Sequence, residues 1–125
     1  MSEVDKLALS VAVLAGILTG EASGCSLEAR VDTAWVAIHR VDAGIVGGWA
    51  AIAPDPDTQA VTIARGLLRA RGMGRSSQRL RDRHPETLYA VSRADIESGK
   101  LWWLRGRRPA ATHVCSGGTH EVILF

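Results

Sequence analysis

Apolar residues spaced three and four positions apart fill the first 42 residues of this chain in two consecutive runs. Such spacing places them along one side of an α-helix and predicts two amphipathic helices. The first predicted helix runs from Val4 to Gly20, and the second runs from a capping Ser26 to Asp42, where Gly44 closes it. The two predicted apolar stripes are Val4, Leu7, Val11, Leu14 and Leu18, and Leu27, Val31, Ala34, Ile38 and Val41.

The rest of the chain predicts a third helix and a small β element. The third helix is expected from Thr58 to Arg71, after a loop rich in glycine and proline. Ser92 and Asp95 have the spacing of a helix cap and predict a further short helix. The final segment, THVCSGGTHEVILF, predicts a hairpin or a turn into a last strand. The sequence therefore predicts one α+β domain over residues 1–125, predominantly α-helical, with a small C-terminal β element.

Composition indicates a compact protein but does not identify a partner. Hydrophobic residues make up 46% of the 125 residues, and the mean hydropathy of +0.06 argues against a disordered chain. Thirteen of the 15 basic residues are arginine, which suits contacts with carboxylates or phosphates. The alternative is that a GC-rich genome encodes arginine in place of lysine. The arginine-rich segment 65–83 predicts either a solvated surface or a contact with an anionic polymer. A formal charge of only +2 and the lack of a binding motif argue against nucleic acid.

The N-terminus lacks the features of a secretory signal peptide. The apolar run from Leu7 to Leu18 has a suitable length, but Glu3, Asp5 and Lys6 do not form a positively charged start. The run is also shorter than the about 20 apolar residues that span a bilayer. We therefore expect a soluble chain that is made in the cytoplasm, without stable membrane insertion.

Cys25 and Cys115 match no metal-binding pattern, so no metal is expected, and no organic cofactor is implied. We expect two free thiols. A bridge between them requires the C-terminal segment to pack beside the loop that follows Glu21.

Glu21 is the strongest candidate for a chemical role. It occupies the next position on the first apolar stripe, so the helix aims it toward the core side. Its small neighbours Gly20, Ala22 and Gly24 would let another molecule come close. A carboxyl group that loses hydration keeps its proton to higher pH, which a general acid for glycosidic cleavage needs. The alternative is an ordinary helix-end acid that points into water.

The segment EASGCSLEARVDTAWVAIHRV, residues 21–41, resembles the opening signature of the SleB-type cell wall hydrolases, the spore-cortex-lytic family. The alignment has no gap, and Ser23, Cys25, Ala29 and His39 depart from the family pattern. The matching positions are Glu21, Ala22, Gly24, Glu28, Ala34, Val36, Arg40 and Val41. A looser similarity at the C-terminal end rests on Leu88-Tyr89, Trp102-Trp103, Pro109 and Gly118-Thr119-His120. Residues 43–85 have no counterpart in this comparison.

The resemblance implies a lysozyme-like fold and cleavage of peptidoglycan between N-acetylmuramic acid and N-acetylglucosamine. The family's catalytic glutamate matches Glu21, and its lytic transglycosylases use one glutamate as acid and then as base, giving a 1,6-anhydro product. A hydrolase would need a second carboxylate. Candidates for it are Glu28, Asp32 and Asp42, although surface or capping roles explain all three, and we assign Glu28 and Arg40 mainly to structure. Expected substrate-binding residues are Tyr89, Trp103, His120 and Ser23.

Several settings and function classes stay open. An enzyme of this kind without a signal peptide would suit a bacteriophage endolysin released by a membrane-permeabilising holin, or a virion-associated lysin. A catalytically inactive glycan-binding or structural protein could use the same scaffold. A nucleic-acid-binding module based on segment 65–83 is the least favoured class. Arg105, Arg107 and Arg108 are candidates for contacts with acidic stem peptides or wall polymers.

Overall fold

The computed structural model describes residues 9–45, 49, 52–73, 89–104, 106–116 and 120–125, with only the backbone of His120. Three helices come first along these residues, and strands and short helices follow, so the predicted mixture of helix and strand is confirmed. The described helices are α1 (Val11–Glu21), α2 (Leu27–Asp42), α3 (Thr58–Gly72), α4 (Arg93–Glu97) and a 3₁₀ helix, Trp102–Leu104. The described strands are β1 (Ala90–Ser92), β2 (Ala111–Cys115) and β3 (His120–Leu124). None of the described helices has both the length and the apolar character needed to cross a membrane.

Helix α1 begins later than the apolar spacing predicts. Ser10 is extended and caps the helix, because its hydroxyl oxygen accepts a hydrogen bond from the Val13 N–H at 3.1 Å. The predicted start at Val4 is therefore wrong, and residues 1–8 lie outside the described part of the chain. All residues from Leu14 to Leu18 are buried, so α1 is enclosed by its surroundings rather than buried along one stripe.

Helix α2 has the predicted bounds but a broader buried surface than predicted. Ser26 caps it by accepting a hydrogen bond from the Ala29 N–H at 3.2 Å. Burial extends around the helix between Ala29 and Ile38, because α1, α3 and β3 all pack against it. Leu27, predicted to face inward, is 57% exposed, whereas Trp35 is buried.

A buried arginine joins the first three helices. The two terminal nitrogens of Arg30 donate to the two carboxylate oxygens of Asp57, at 2.8 and 2.7 Å. The Arg30 Nε donates to the carbonyl oxygen of Ala22 just beyond α1, and a terminal nitrogen also donates to Gln59. Asp57 in turn caps α3 by accepting a hydrogen bond from the Ala60 N–H at 2.8 Å. Helices α1, α2 and α3 are therefore fixed to one another at a single point.

Acid is expected to weaken this junction. Hydrogen bonds from Arg30 and from the Ala60 N–H lower the pKa of Asp57 from 3.8 to about 2. Because the unfolded chain binds this proton at higher pH than the folded protein does, the contribution to stability is present above about pH 4 and is lost as pH falls toward 2. The Asp57 side chain is 43% exposed, so solvent screening keeps the effect modest. Urea unfolding of wild type and Asp57→Asn should show a stability difference that shrinks below pH 4, and a constant difference would contradict this assignment.

The described strands form one antiparallel sheet in the order β1-β3-β2, with the C-terminal strand in the centre. The predicted pairing of the last two β-prone stretches is confirmed, and their connection at 117–119 lies outside the described residues. Strand β1 was not predicted. One sheet face packs on the helices through Val122 and Leu124, and the other buries Ile123 and Phe125 against Leu104.

A disulfide joins Cys25 to Cys115, so the expectation of two free thiols is wrong. The condition for a bridge is met, since the Ser116 N–H donates to the Gly24 carbonyl at 2.8 Å and holds the end of β2 beside the loop after Glu21. The two cysteines are 90 residues apart, and local sequence spacing carries no information about a contact of that range.

Candidate functional site

Glu21 is the last residue of α1 and borders a pocket between the helices and the sheet. Its side chain is half-buried, and the pocket volume is about 190 Å³. The lining comes from Glu21 of α1, Thr33 of α2, all of β1, Asp95 of α4 and Val122 of β3. The end of α1 therefore places a carboxylate at a concave surface.

Asp95 brings a second carboxylate to the same pocket. Strand β1 pairs with β3 so that Ser92 lies opposite Val122. Ser92 then caps α4, because its hydroxyl oxygen accepts a hydrogen bond from the Asp95 N–H at 3.2 Å. This cap was predicted, but the location of Asp95 at the pocket with Glu21 was not. The short link between β1 and α4 fixes Asp95 at the pocket edge, where its side chain is exposed.

The pocket is small and open, and four of its lining residues are polar. Ligand pockets for drug-sized molecules commonly measure about 300–1,000 Å³, so 190 Å³ accommodates a single ring or a similar group. Ser92 and Thr33 add hydroxyl groups to the two carboxylates, although the Thr33 hydroxyl already donates to the Ala29 carbonyl at 2.8 Å. Two carboxylate side chains and two hydroxyl groups thus line one small pocket.

The small residues around Glu21 serve the fold itself. Ala22 is completely buried. Gly24 has a φ of +74°, and a Cβ there would collide with the Ser116 hydroxyl oxygen. A close approach is therefore made at Gly24 by the end of β2. Ser23 in the same turn is exposed.

The expected substrate-binding residues fall in different places. Tyr89 directly precedes β1, and its ring packs against Arg40. The guanidinium carbon of Arg40 lies 5.6 Å from the centroid of the Tyr89 ring and 5.5 Å from the centroid of the Trp49 ring. Trp103 is 44% exposed in the 3₁₀ helix and is not among the residues that line the Glu21 pocket. The backbone of His120 opens β3 opposite Cys115, and its side chain lies outside the described part.

The other candidates for a second carboxylate do not line this pocket. Asp42 forms an ion pair with Arg71. Asp32, expected at a helix surface or cap, is instead completely buried, and its carboxylate lies 2.7 Å from Nε2 of His113. The expectation for Asp32 is therefore wrong. Asp32 lies three residues after Ala29 and four before Val36, on the same side of the helix as these two apolar residues. This spacing is the sequence signal that could have indicated the burial of Asp32, since Ala29 and Val36 are both buried.

The Asp32–His113 pair lies near the pocket and has a third potential metal ligand beside it. His113 pairs with Val122, so both residues share the sheet face that borders the pocket. One carboxylate oxygen of Glu28 lies with the Asp32 and His113 atoms in a group no wider than 4.8 Å. These oxygen and nitrogen atoms suit a divalent cation, which would have to replace the hydrogen bond between Asp32 and His113. As the structure stands, the pair connects α2 to β2.

The arginine-rich segment is described only in its first part. Arg65 and Arg69 are exposed on α3 and border a shallow depression with Thr62 and Gly66. Arg71 is held by Asp42 instead. Residues 74–83, where the predicted anionic contact would continue, lie outside the described residues.

The fold and site together define an α+β protein with a two-carboxylate pocket at the junction of helix α1 and a small antiparallel sheet. No protein-family model, no curated protein and no solved structure matches this chain.

Proposed function

We propose that this protein is a peptidoglycan-cleaving glycosidase with a lysozyme-like fold, in which Glu21 is the general acid and base. The main support for this proposal is that Glu21 and a second carboxylate, Asp95, line the same ring-sized pocket. The resemblance of residues 21–41 to the SleB-type signature supports the same assignment, because the family's catalytic glutamate matches Glu21. The bond cleaved is the one between N-acetylmuramic acid and N-acetylglucosamine.

The first route is that of a lytic transglycosylase and needs one carboxyl group. Protonated Glu21 donates its proton to the glycosidic oxygen while the bond from that oxygen to C1 of the muramyl ring breaks. The resulting Glu21 carboxylate then accepts the proton of the muramyl 6-hydroxyl as the oxygen of that group bonds to C1. No water is consumed, and the product ends in a 1,6-anhydromuramyl ring.

The second route is hydrolysis, and the position of Asp95 supports it. A glycoside hydrolase uses one carboxyl group as acid and another as base or nucleophile, and both flank the scissile bond. Asp95 is exposed at the pocket that Glu21 borders. Asp32 is paired with His113 and Asp42 with Arg71, and neither carboxylate lines the pocket. In this route a water oxygen bonds to C1, and the product keeps a reducing end. The two routes are therefore distinguished by their products.

The Cys25–Cys115 disulfide suits a protein that acts outside the cytoplasm, because disulfides persist in oxidising surroundings. This is consistent with an endolysin that reaches the wall after a holin opens the membrane, or with a virion-associated lysin. Tyr89 directly precedes the pocket residue Ala90, and Ser23 lies two residues after Glu21, so both are proposed as sugar contacts. The substrate-binding roles of Trp103 and His120 remain predictions.

Replacing Glu21 by glutamine is expected to lower the release of soluble fragments from dye-labelled sacculi by about 10²–10⁴-fold, the usual contribution of a positioned general acid. The amide keeps the size of the side chain but cannot donate the acidic proton. Glu97→Gln is the matched control, because Glu97 is an exposed acid on α4 that does not line the pocket, and it should retain wild-type activity.

Two results would count against this assignment. Equal activity of Glu21→Gln and wild type would remove Glu21 from the reaction. Co-sedimentation of the wild-type protein with sacculi, without any release of fragments, would favour the inactive glycan-binding protein on the same scaffold.

A further inference from the structure

Two adjacent tryptophans are exposed on the surface of the 3₁₀ helix. Trp102 is 71% exposed and Trp103 is 44% exposed. Their ring centroids are 6.2 Å apart, and the ring planes meet at 89°. Large aromatic side chains usually contribute to a core or an interface, so a neighbouring pair of exposed indoles marks an interaction surface.

The chain holds these rings outward on an anchored turn. Leu104, the next residue, is 1% exposed and packs with Ile123 and Phe125 beneath the sheet. The Leu104 N–H donates to the Leu101 carbonyl at 2.9 Å, and the Arg107 N–H donates to the Leu104 carbonyl at 3.2 Å. The exposure of the two indoles is therefore a feature of the folded structure and not of a loose chain end.

Basic residues flank the two indoles in the sequence. Lys100, Arg107 and Arg108 are exposed, and the sequence has no Asp or Glu between Glu97 and Glu121. We call the set of Lys100, Trp102, Trp103, Arg107 and Arg108 the Trp–Arg patch. It combines apolar rings that carry a polar N–H with a local excess of positive charge.

We propose that the Trp–Arg patch binds the surface of an anionic lipid bilayer. Indoles favour the headgroup level of a membrane, where the ring leaves water and its N–H stays hydrated. Arginine and lysine near such a surface are attracted to the phosphates of anionic lipids. This interaction is peripheral, so it needs no spanning helix, and it is independent of the proposed glycosidase activity.

The geometry of the patch favours a bilayer over a sugar polymer. Indole planes at 89° to each other do not form a flat platform on which consecutive sugar rings could stack. A fluid headgroup layer accepts rings in either orientation. The patch also shares no residue with the lining of the Glu21 pocket.

The test is co-sedimentation of the protein with vesicles of phosphatidylcholine alone or mixed with phosphatidylglycerol, at low and at high salt. Wild type should bind the mixed vesicles at low salt, with a blue shift of indole fluorescence that Trp102→Ala reduces. The double variant Arg107→Gln, Arg108→Gln should lower partitioning by about 30-fold, since each basic residue contributes roughly fivefold at an anionic surface. The matched control, Arg65→Gln with Arg69→Gln, removes the same charge from α3 and should stay close to wild type.

Three results would overturn the proposal. They are absence of binding to the mixed vesicles, an equal loss in the α3 control, and binding to purified anionic wall polymer without binding to vesicles. Isolated sacculi contain no bilayer, so the Trp102→Ala variant should release fragments from them as fast as wild type does. Failure of membrane binding and failure of the proposed enzyme activity are therefore separate outcomes.

Discussion

Removing the Cys25–Cys115 disulfide is expected to lower the free energy of unfolding by about 4 kcal/mol. The two cysteines are separated by 90 residues, so the bridge closes a loop that spans most of the chain. Closing so long a loop strongly restricts the unfolded ensemble and thereby stabilises the folded protein. Residual structure in the unfolded ensemble reduces this stabilisation somewhat. The bridge also fixes the turn after Glu21 to the end of β2, so its loss should loosen one side of the pocket.

Urea unfolding of wild type with and without a reducing agent measures this effect. The variant Cys25→Ala, Cys115→Ala should resemble the reduced wild type, and the reducing agent should leave the variant unchanged. A count of free thiols in the unreduced protein, by alkylation and mass spectrometry, should give none. Two alkylated cysteines, or equal stability of the oxidised and reduced protein, would contradict the bridge as a stabilising contact.

Replacing Arg30 by alanine is expected to destabilise the protein by about 3 kcal/mol. Breaking a buried ion pair commonly costs about 3–5 kcal/mol, because the remaining charge stays without its partner. The Arg30 side chain is 7% exposed, whereas Asp57 is 43% exposed and can be hydrated, which places the expected cost at the low end of the range. The Ala22 carbonyl and Gln59 also lose a donor.

Two further variants distinguish the loss of the Arg30–Asp57 contact from a general effect of removing a positive charge. Arg30→Lys should recover little stability, because an ammonium group cannot donate two parallel hydrogen bonds to Asp57. Arg65→Ala, a change at an exposed arginine of α3, should stay within about 0.5 kcal/mol of wild type. If Arg30→Ala were no more destabilising than Arg65→Ala in urea unfolding, the junction would not contribute to stability as described.

Local patterns in the sequence predicted the helices well where a cap and a periodic run coincide. Ser26 fixes the start of α2 by its own hydrogen bond, and Ser92 does the same for α4. The start of α1 was misplaced because Val4 and Leu7 continue the apolar spacing upstream of Ser10, which is the actual cap. Strand β1 was missed because three residues are too short a run for a period of two to be recognised.

The candidate site was predictable only in part, because most of it is formed by contacts between distant residues. Glu21 could be identified because an acid on an apolar stripe is a local anomaly. Asp95 reaches the pocket through the pairing of β1 with β3, and the Asp32–His113 pair joins residues 81 positions apart. Spacing within one element does not encode such contacts, so the second carboxylate and the disulfide emerged only from the fold.

The most direct test of the central claim is mass spectrometry of the soluble products released from purified peptidoglycan by wild type, Glu21→Gln and Asp95→Asn. The proposed transglycosylase predicts 1,6-anhydro-muropeptides that disappear in Glu21→Gln and persist in Asp95→Asn. Reducing-end products that disappear in both variants would instead identify the hydrolytic route with Asp95 as the second carboxylate. The same products from Glu21→Gln as from wild type, or no products from any of the three proteins, would contradict a glycosidase centred on Glu21.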